Sequence, residues 1–524
     1  MGRAPIAVLG LALALIAVWL LVDPRTPDLA AQVYRVELFR QIGPAVWDEH
    51  WYAGHYLPAY SLLFPPLGAL LGIRLLGAVA VICSTVLFER LARSFYGDAA
   101  AWAAAWFAVA AVGDVWAGRI AFALGVALAL AAALAFRRGH AGWAALLAAL
   151  CAAASPVAGA LLGLAALTWT LATGSRRSLL VLGAPAAAVL LVLAALFPEG
   201  GVEPYPILSF AATALVVAAF LWALPRGART LRIGGWLYLL VCVACLAIHT
   251  PLGSNIERYG VLLAGPLLLC ACLDARARGV RASASASVAL VLALGVSAVW
   301  VVWGPARETI AVAGSPATSA AYYIPVERFL ARAPGGPFRI EVPLTRTHWE
   351  AAFLAPTVSL ARGWEKQLDS RFDGVLLKRG LTAASYERWL HEQAVAYVAL
   401  PDTPPDPSSA QEAQLIRGGL PYLQEVLSSR HWRIYRELGA TALLSGPARL
   451  TGLGHDSFSL RAAAAGSVVV RVRFNRYWTL TRGHGCVGRA DGGWTAVRLS
   501  APGPAEVSAR FSIGRALGVD GACT

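Results

Sequence analysis

DPRTPDLAAQVYRVELFRQIGPAVWDEHWYAGHYLPAYSLLFPPL, residues 23–67, is the longest polar interruption in the first 300 residues of the chain. Apolar runs at 5–22 and 73–92 flank it, each about long enough to cross a hydrocarbon core. Acids, histidines, arginines and aromatics therefore collect beside a bilayer, where charge needs a partner or a task. The fold is read outward from here, and so is the chemistry.

Over 524 residues, 58% are hydrophobic and 14% charged, which excludes an ordinary soluble protein and marks an integral membrane protein. Further apolar runs lie at 99–113, 119–136, 142–154, 156–173, 178–197, 207–224, 233–249, 260–273 and 286–303, giving about eleven spans. The net charge of +14 reads as topology. No basic tract with interleaved aromatics points to nucleic acid. Arg137-Arg138, Arg176-Arg177, Arg226/Arg229/Arg232 and Arg276/Arg278/Arg281 fall in alternate loops, which makes those loops cytoplasmic. The basic start, Met1 to Arg3, is then inside, and both the 23–67 stretch and everything after Gly304 are outside. No tandem repeat or inverted symmetry of the transporter kind is visible.

After residue 304 the composition becomes that of a water-soluble chain. FRIEVPL, AVAYVALP and WRIYREL read as strands, and HWEAAFLAP, AASYERWLHEQ and LPYLQEVLSS as helices, an α/β domain over 304–445. Alternation in SFSLRAA, SVVVRVRFN, YWTLTRG, TAVRLSA and AEVSARFSI predicts a β-sandwich over 446–524. The expected organisation is a membrane domain over 1–303 followed by these two extracytoplasmic domains. Cys83, Cys151, Cys242, Cys245, Cys270 and Cys272 lie in apolar spans and read as small hydrophobes without zinc-site spacing, whereas Cys486 and Cys523 can pair in an exported region.

Leu29, Val33, Val36 and Phe39 recur at helical spacing opposite Asp28, Gln32, Arg35 and Arg40, which predicts an amphipathic helix on the membrane surface. Thr26 and Pro27 would start it, and Asp28 serves either as a charge suited to the helix end or as a base. WDEHWYAGHY places Asp48, Glu49, His50 and His55 among Trp47, Trp51, Tyr52 and Tyr56. That is either an interfacial aromatic belt or a sugar site, with a carboxylate base and rings that stack on a sugar face. Pro65-Pro66 is expected to break a helix near the membrane. Arg119 in GDVWAGR and Arg258 in SNIERYG sit at span ends, with His249 upstream of the second, where a guanidinium suits a phosphate. Each arginine equally suits a helix end or a pairing with Asp114 or Glu257. TRTHWEA, with His348 and Trp349, and ARGWEKQLDSRFD add sugar-compatible side chains. No nucleotide loop, serine elbow or metal motif stands out.

A first span, an outer loop opening with Asp, helices on the membrane, the W…WYAGH…Y…PPL box and GRIAFALGVALALAAALAFRRG at 118–139 together resemble the type C (GT-C fold) membrane glycosyltransferases. The SP of AASPVAG adds a similarity to bacterial proteins with a 6-pyruvoyl-tetrahydropterin-synthase-related membrane domain, whose usual His before the Pro is here Ser155. The resemblance covers roughly residues 1–303. It implies an inverting transferase of the bacterial plasma membrane that moves a sugar from a polyprenyl-phosphate donor to an envelope glycan, glycolipid or protein. Asp28 matches the family's base, with Asp48 and Glu49 as second candidates. Arg258, Arg119 and His249 would face the donor phosphate, and His50, Trp51, Tyr52, His55, Tyr56, His348 and Trp349 the sugar or acceptor. No cofactor is specified, and a divalent metal stays open. The rival readings are a transporter of envelope lipid or glycan and a non-catalytic glycan-binding assembly protein.

Overall fold

The computed structural model describes residues 3–279, 284–518 and 523; Met1, Gly2 and Arg281, used above for the basic start and the orientation, lie outside the described residues. The chain forms two compact units: Met1–Gln32, Ala59–Ala195 and Gly200–Ala311 in one, Val33–Pro58, Leu196–Glu199 and Val312–Thr524 in the other. The 23–67 stretch is thus divided between them.

The first unit is helical. Among the described residues eight stretches are long and apolar enough to cross a membrane. One of them, Ile73–Trp116, holds two helices, and two shorter apolar helices complete a set of eleven. These are α1 (Arg3–Val22), then, after α2 (Pro27–Ile42) and α3 (Phe64–Leu71), α4 (Ile73–Tyr96), α5 (Ala100–Trp116), α6 (Ile120–Arg137), α7 (Ala141–Ala154) and α8 (Pro156–Thr173). The set closes with α9 (Ala184–Leu196), α10 (Ile207–Ala223), α11 (Arg229–Ala247), α12 (Glu257–Ala277) and α13 (Ala284–Val312). The protein is a multi-pass membrane protein of the expected helical class. Small residues bring the helices together: a Cβ at Gly125 would meet that of Ala158 at 2.6 Å, and one at Gly159 that of Ala152 at 2.7 Å. Large apolar side chains such as Leu180, Leu191, Leu208 and Trp222 point outward, as lipid-facing positions do.

Three local expectations change. Pro65-Pro66 begins α3 instead of breaking a helix, because proline is suited to the first helical positions, and the Ser61 hydroxyl accepts the Phe64 amide at 3.0 Å. α13 runs through Pro305 to Val312, nine residues beyond the expected end at 303. Gly113 leaves room for the proline ring, since a Cβ there would meet Pro305 Cγ at 3.3 Å, and the Thr309 hydroxyl donates to the Pro305 carbonyl at 2.7 Å. α2 is not an amphipathic surface helix either. Leu29, Tyr34, Val36 and Leu38 are buried, and so are Gln32 and Arg35 on the side expected to be polar. Gln32 accepts the Ala121 amide at 3.3 Å, and Arg35 donates to Glu365 at 2.5 Å, so inward polar partners replace water.

In the second unit β1 (Trp47–Asp48) and β2 (His55–Tyr56) form a small antiparallel ribbon. A five-stranded mixed sheet has the order β4-β3-β5-β7-β6, from β3 (Arg339–Glu341), β4 (Ser359–Leu360), β5 (Val395–Pro401), β6 (Leu423–Ser428) and β7 (Trp432–Glu437). Two helices lie in chain order around β5: α14 (Ala383–Gln393), which starts on a Thr382–Ser385 capping box, and α15 (Ala410–Arg417). Trp389, Leu390, Val395, Val398, Leu400 and Ile416 share one core. The LPYLQEVLSS segment, expected as a helix, is strand β6. Its pairing with β7, Leu423 opposite Glu437 and Ser428 opposite Arg433, overrides its helical propensity. The helix expected in HWEAAFLAP is only one turn, Glu350–Phe353.

Eight further strands make two four-stranded antiparallel sheets. Alternation buries Phe458, Leu460 and Ala462 in one sheet and Val468, Val470 and Val472 in the other, the period-2 pattern of a sandwich. Cys486 and Cys523 are disulfide-bonded, with a Cα separation of 5.3 Å.

Candidate functional site

Asp28 sits in the first turn of α2, in the helical unit. The Thr26 hydroxyl donates to the Trp116 carbonyl at 2.9 Å, and Trp116 Nε1 donates to Thr309 at 2.7 Å, which ties the start of α2 to α5 and α13. Gly118, at φ +84°, allows the α5–α6 turn to approach, since a Cβ there would fall 2.3 Å from the Leu29 amide nitrogen. The next residue, Arg119, then reaches three carboxylates: Nε lies 3.1 Å from Asp28 Oδ2, Nη2 3.4 Å from Glu308 Oε1 and Nη1 3.9 Å from Asp114 Oδ1. Asp28 and Arg119 keep about a third of their side-chain surface exposed, 33% and 29%. Arg258 stands over the Phe122 ring at 5.1 Å, within electrostatic reach of Arg119, Asp28 and Asp114. His249 is exposed at the end of a different loop, which is pinned by the Glu203 amide on the Thr250 carbonyl at 3.0 Å.

Glu308 is the member of this cluster that the sequence reading missed. Its signal, an acid one turn past Pro305, lies beyond residue 303, where the apolar run is expected to end.

The WDEH box is a different kind of place. Asp48, Glu49, Trp51 and Tyr52 are 0% exposed, and His50, His55 and Tyr56 are buried. These side chains are turned inward and are not displayed as an exposed aromatic belt. Asp48 accepts from Tyr34 Oη at 2.8 Å, His455 Nδ1 at 3.0 Å and the His50 amide at 3.1 Å. Glu49 meets Arg339 Nη2 at 2.6 Å, inside the second unit. Trp51 stacks on Tyr34 with centroids 4.5 Å apart, and Tyr52 Oη donates to Asp369 at 3.0 Å. The turn that links β1 to β2 depends on Gly54, whose φ is +125° and where a Cβ would fall 2.2 Å from the Trp47 ring. Acids and aromatics here lock the loop into the second unit, and His455, in GHDS, carried no signal of that in the sequence.

Burial would raise the Asp48 carboxyl, but the His455 hydrogen bond and the charges of His55 and His455 outweigh it and hold it at about 2. Burial, with His455 beside it at 3.9 Å between ring centroids, holds His50 at about 4. The unfolded chain therefore binds the His50 proton first as pH falls. Stability from His50 is complete above its ordinary pKa of about 6.5 and is lost as pH falls from about 6.5 towards about 4, a change of roughly 3 kcal/mol. Asp48 adds its own loss only below about 4. His50→Gln is expected to remove the His50 part of this pH dependence, read as a smaller gap between variant and parent unfolding temperatures at pH 5 than at pH 7.5.

His348 and Trp349 are buried as well. His348 stacks on Trp364 at 3.4 Å and donates to Asp406 at 3.3 Å, which braces the loop; Glu350 accepts the Thr345 amide at 2.9 Å. Among the described residues one trio of His, Cys, Asp or Glu is close enough to share an ion, Glu387, His391 and Glu437.

No family model matches the chain, and no curated protein does. Among solved structures it is similar to the arabinofuranosyltransferase AftD from Mycobacteria, at a TM-score of 0.50 and 15% identity over 98% of this chain and 57% of that one. It also aligns with the oligosaccharyltransferase AglB from Archaeoglobus fulgidus, solved with an inhibitory peptide and a dolichol-phosphate, at a TM-score of 0.38 and 14% identity over 76% of this chain and 69% of that one. The chain thus spans a little over half the length of the AftD chain. The first likeness places it in the GT-C-like fold. The narrower likeness to the 6-pyruvoyl-tetrahydropterin-synthase-related proteins rests on its motifs alone.

Proposed function

We propose that the chain is a membrane glycosyltransferase that moves a sugar from a polyprenyl-phosphate donor to an envelope glycan, glycolipid or protein. The observation that carries this reading is the Asp28–Arg119 pair, about one-third exposed and set at the start of α2 with Arg258 in electrostatic reach. In this reading Asp28 takes the proton of the acceptor hydroxyl as that oxygen attacks the anomeric carbon. The bond from that carbon to the phosphate oxygen breaks on the opposite face, with inversion, and Arg119 and Arg258 receive the departing phosphate. Arg119 is shared among three carboxylates, so a phosphate that draws it away leaves Asp28 freer to accept a proton. AftD, of the same fold, is a sugar transferase, and the proposal extends that class to this chain. The alternating arginine loops support an inside N-terminus and an outer second unit, and the plasma membrane of a bacterium is the location this reading assigns.

Arg258→Ala tests the phosphate half of the reading. It is expected to weaken binding of a polyprenyl-phosphate sugar by roughly tenfold or more, the loss of a charge-assisted contact of about 1.5–3 kcal/mol, with unfolding temperature unchanged. Unchanged affinity would leave Arg119 as the sole phosphate ligand.

A further inference from the structure

Glu387 and His391 lie four residues apart on α14, so they share one face of that helix. Glu437, the last residue of β7, meets them there, and one ligand-capable atom from each lies within 4.8 Å of the others. His391 Nε2 is 3.1 Å from Glu437 Oε1, which also accepts the Gly439 amide at 3.1 Å. The other Glu437 oxygen, Oε2, is buried without a hydrogen-bond partner among the described residues, in a side chain whose residue is only 3% exposed. Gly439 keeps the space open: a Cβ there would fall 3.3 Å from His391 Nε2. A simple His391–Glu437 pair explains neither the orphan oxygen nor the third ligand-bearing side chain beside it.

We propose that Glu387, His391 and Glu437 form a divalent transition-metal site, best matched by Zn²⁺. One imidazole with two carboxylates suits zinc and its first-row neighbours, whereas Ca²⁺ and Mg²⁺ prefer oxygen alone. Bonds of about 2.0–2.2 Å in a tetrahedral site put ligand atoms roughly 3.4 Å apart. The His391–Glu437 spacing is already close to that, and the partly exposed Glu387 side chain has the rotational freedom to close the rest. On binding, Nε2 of His391 loses any proton it carries to solvent and becomes a ligand, and the two carboxylates balance the charge of the ion. The ion would clip α14 to the end of β7 and keep a coordination position towards solvent. None of the residues of the Asp28 cluster takes part.

The test uses the full-length protein in detergent, purified on a tag without histidines and stripped with EDTA. Titration with ZnCl₂ against a chromogenic chelator, with metal analysis after dialysis, is expected to give one Zn²⁺ per chain and a raised unfolding temperature, with little response to Mg²⁺ or Ca²⁺. His391→Ala and Glu387→Gln, both on partly exposed side chains, are expected to weaken binding by roughly tenfold or more and to abolish the thermal shift while unfolding like the metal-free parent. No stoichiometric zinc, or zinc held equally well by both variants, would overturn the proposal.

Discussion

Asp28→Asn is expected to fold, to bind donor, and to lose transfer by about 10²- to 10⁴-fold, the contribution of a positioned general base. The substitution keeps the size of the side chain and an oxygen for Arg119, which retains Glu308 and Asp114. A carboxylate one-third exposed and paired with an arginine contributes only about 0–1 kcal/mol to stability, so the unfolding temperature should hardly move. Catalytic and structural roles therefore separate on a single variant. Steady-state transfer alongside donor affinity checks this, because a defect confined to turnover is what removal of a base produces. Normal turnover by Asp28→Asn would remove the base from this position.

Arg339→Ala is expected to have the opposite signature: a destabilisation of about 3–5 kcal/mol, seen as aggregation or a large fall in unfolding temperature. The Arg339 guanidinium is fully buried in the second unit, where it donates to Glu49 at 2.6 Å, the Gln393 carbonyl at 2.7 Å, the Arg471 carbonyl at 2.8 Å and Ser359 at 3.2 Å. One side chain thus joins the WDEH box to β4, the end of α14 and a sandwich strand. Burial already pushes the Glu49 carboxyl up to about 7, and removing the guanidinium leaves it a buried carboxyl that has lost its main hydrogen-bond partner. Glu49→Leu in the Arg339→Ala background should recover part of the loss, and a double-mutant cycle by thermal or denaturant unfolding measures the coupling. Arg339→Lys should fail to rescue, because an ammonium cannot reproduce the planar fork. If Glu49→Leu made matters worse in that background, the pairing account of the box would be wrong.

These two variants mark what the amino-acid sequence discloses and what it conceals. The apolar helices were legible because uniform hydrophobic runs of that length have few other fates in water. The sandwich was legible in the alternation that buries Phe458, Leu460 and Ala462. Asp28 was legible as a position, since Thr26-Pro27-Asp28 announces a helix start directly after a span. Burial was not. WDEHWYAGHY has the residue types of a sugar site, and a buried polar keystone uses the same types, so only the three-dimensional partners His455 and Arg339, more than 280 residues away, tell them apart. Glu308 stayed hidden because the apolar run ends at 303, whereas α13 continues through Pro305, which packs against Gly113, to Val312. β6 was misread because LQEVLSS favours helix locally, while its partner strand decides its state.

The central claim is that Asp28, Arg119 and Arg258 form one transfer site, and a density map of the full-length protein with saturating polyprenyl phosphate tests it most directly. The account predicts phosphate density within about 2.7–2.9 Å of the Arg119 or Arg258 guanidinium, with the Asp28 carboxylate facing the same space. Phosphate density bound elsewhere on the protein, with the Asp28–Arg119 pair undisturbed, would contradict it.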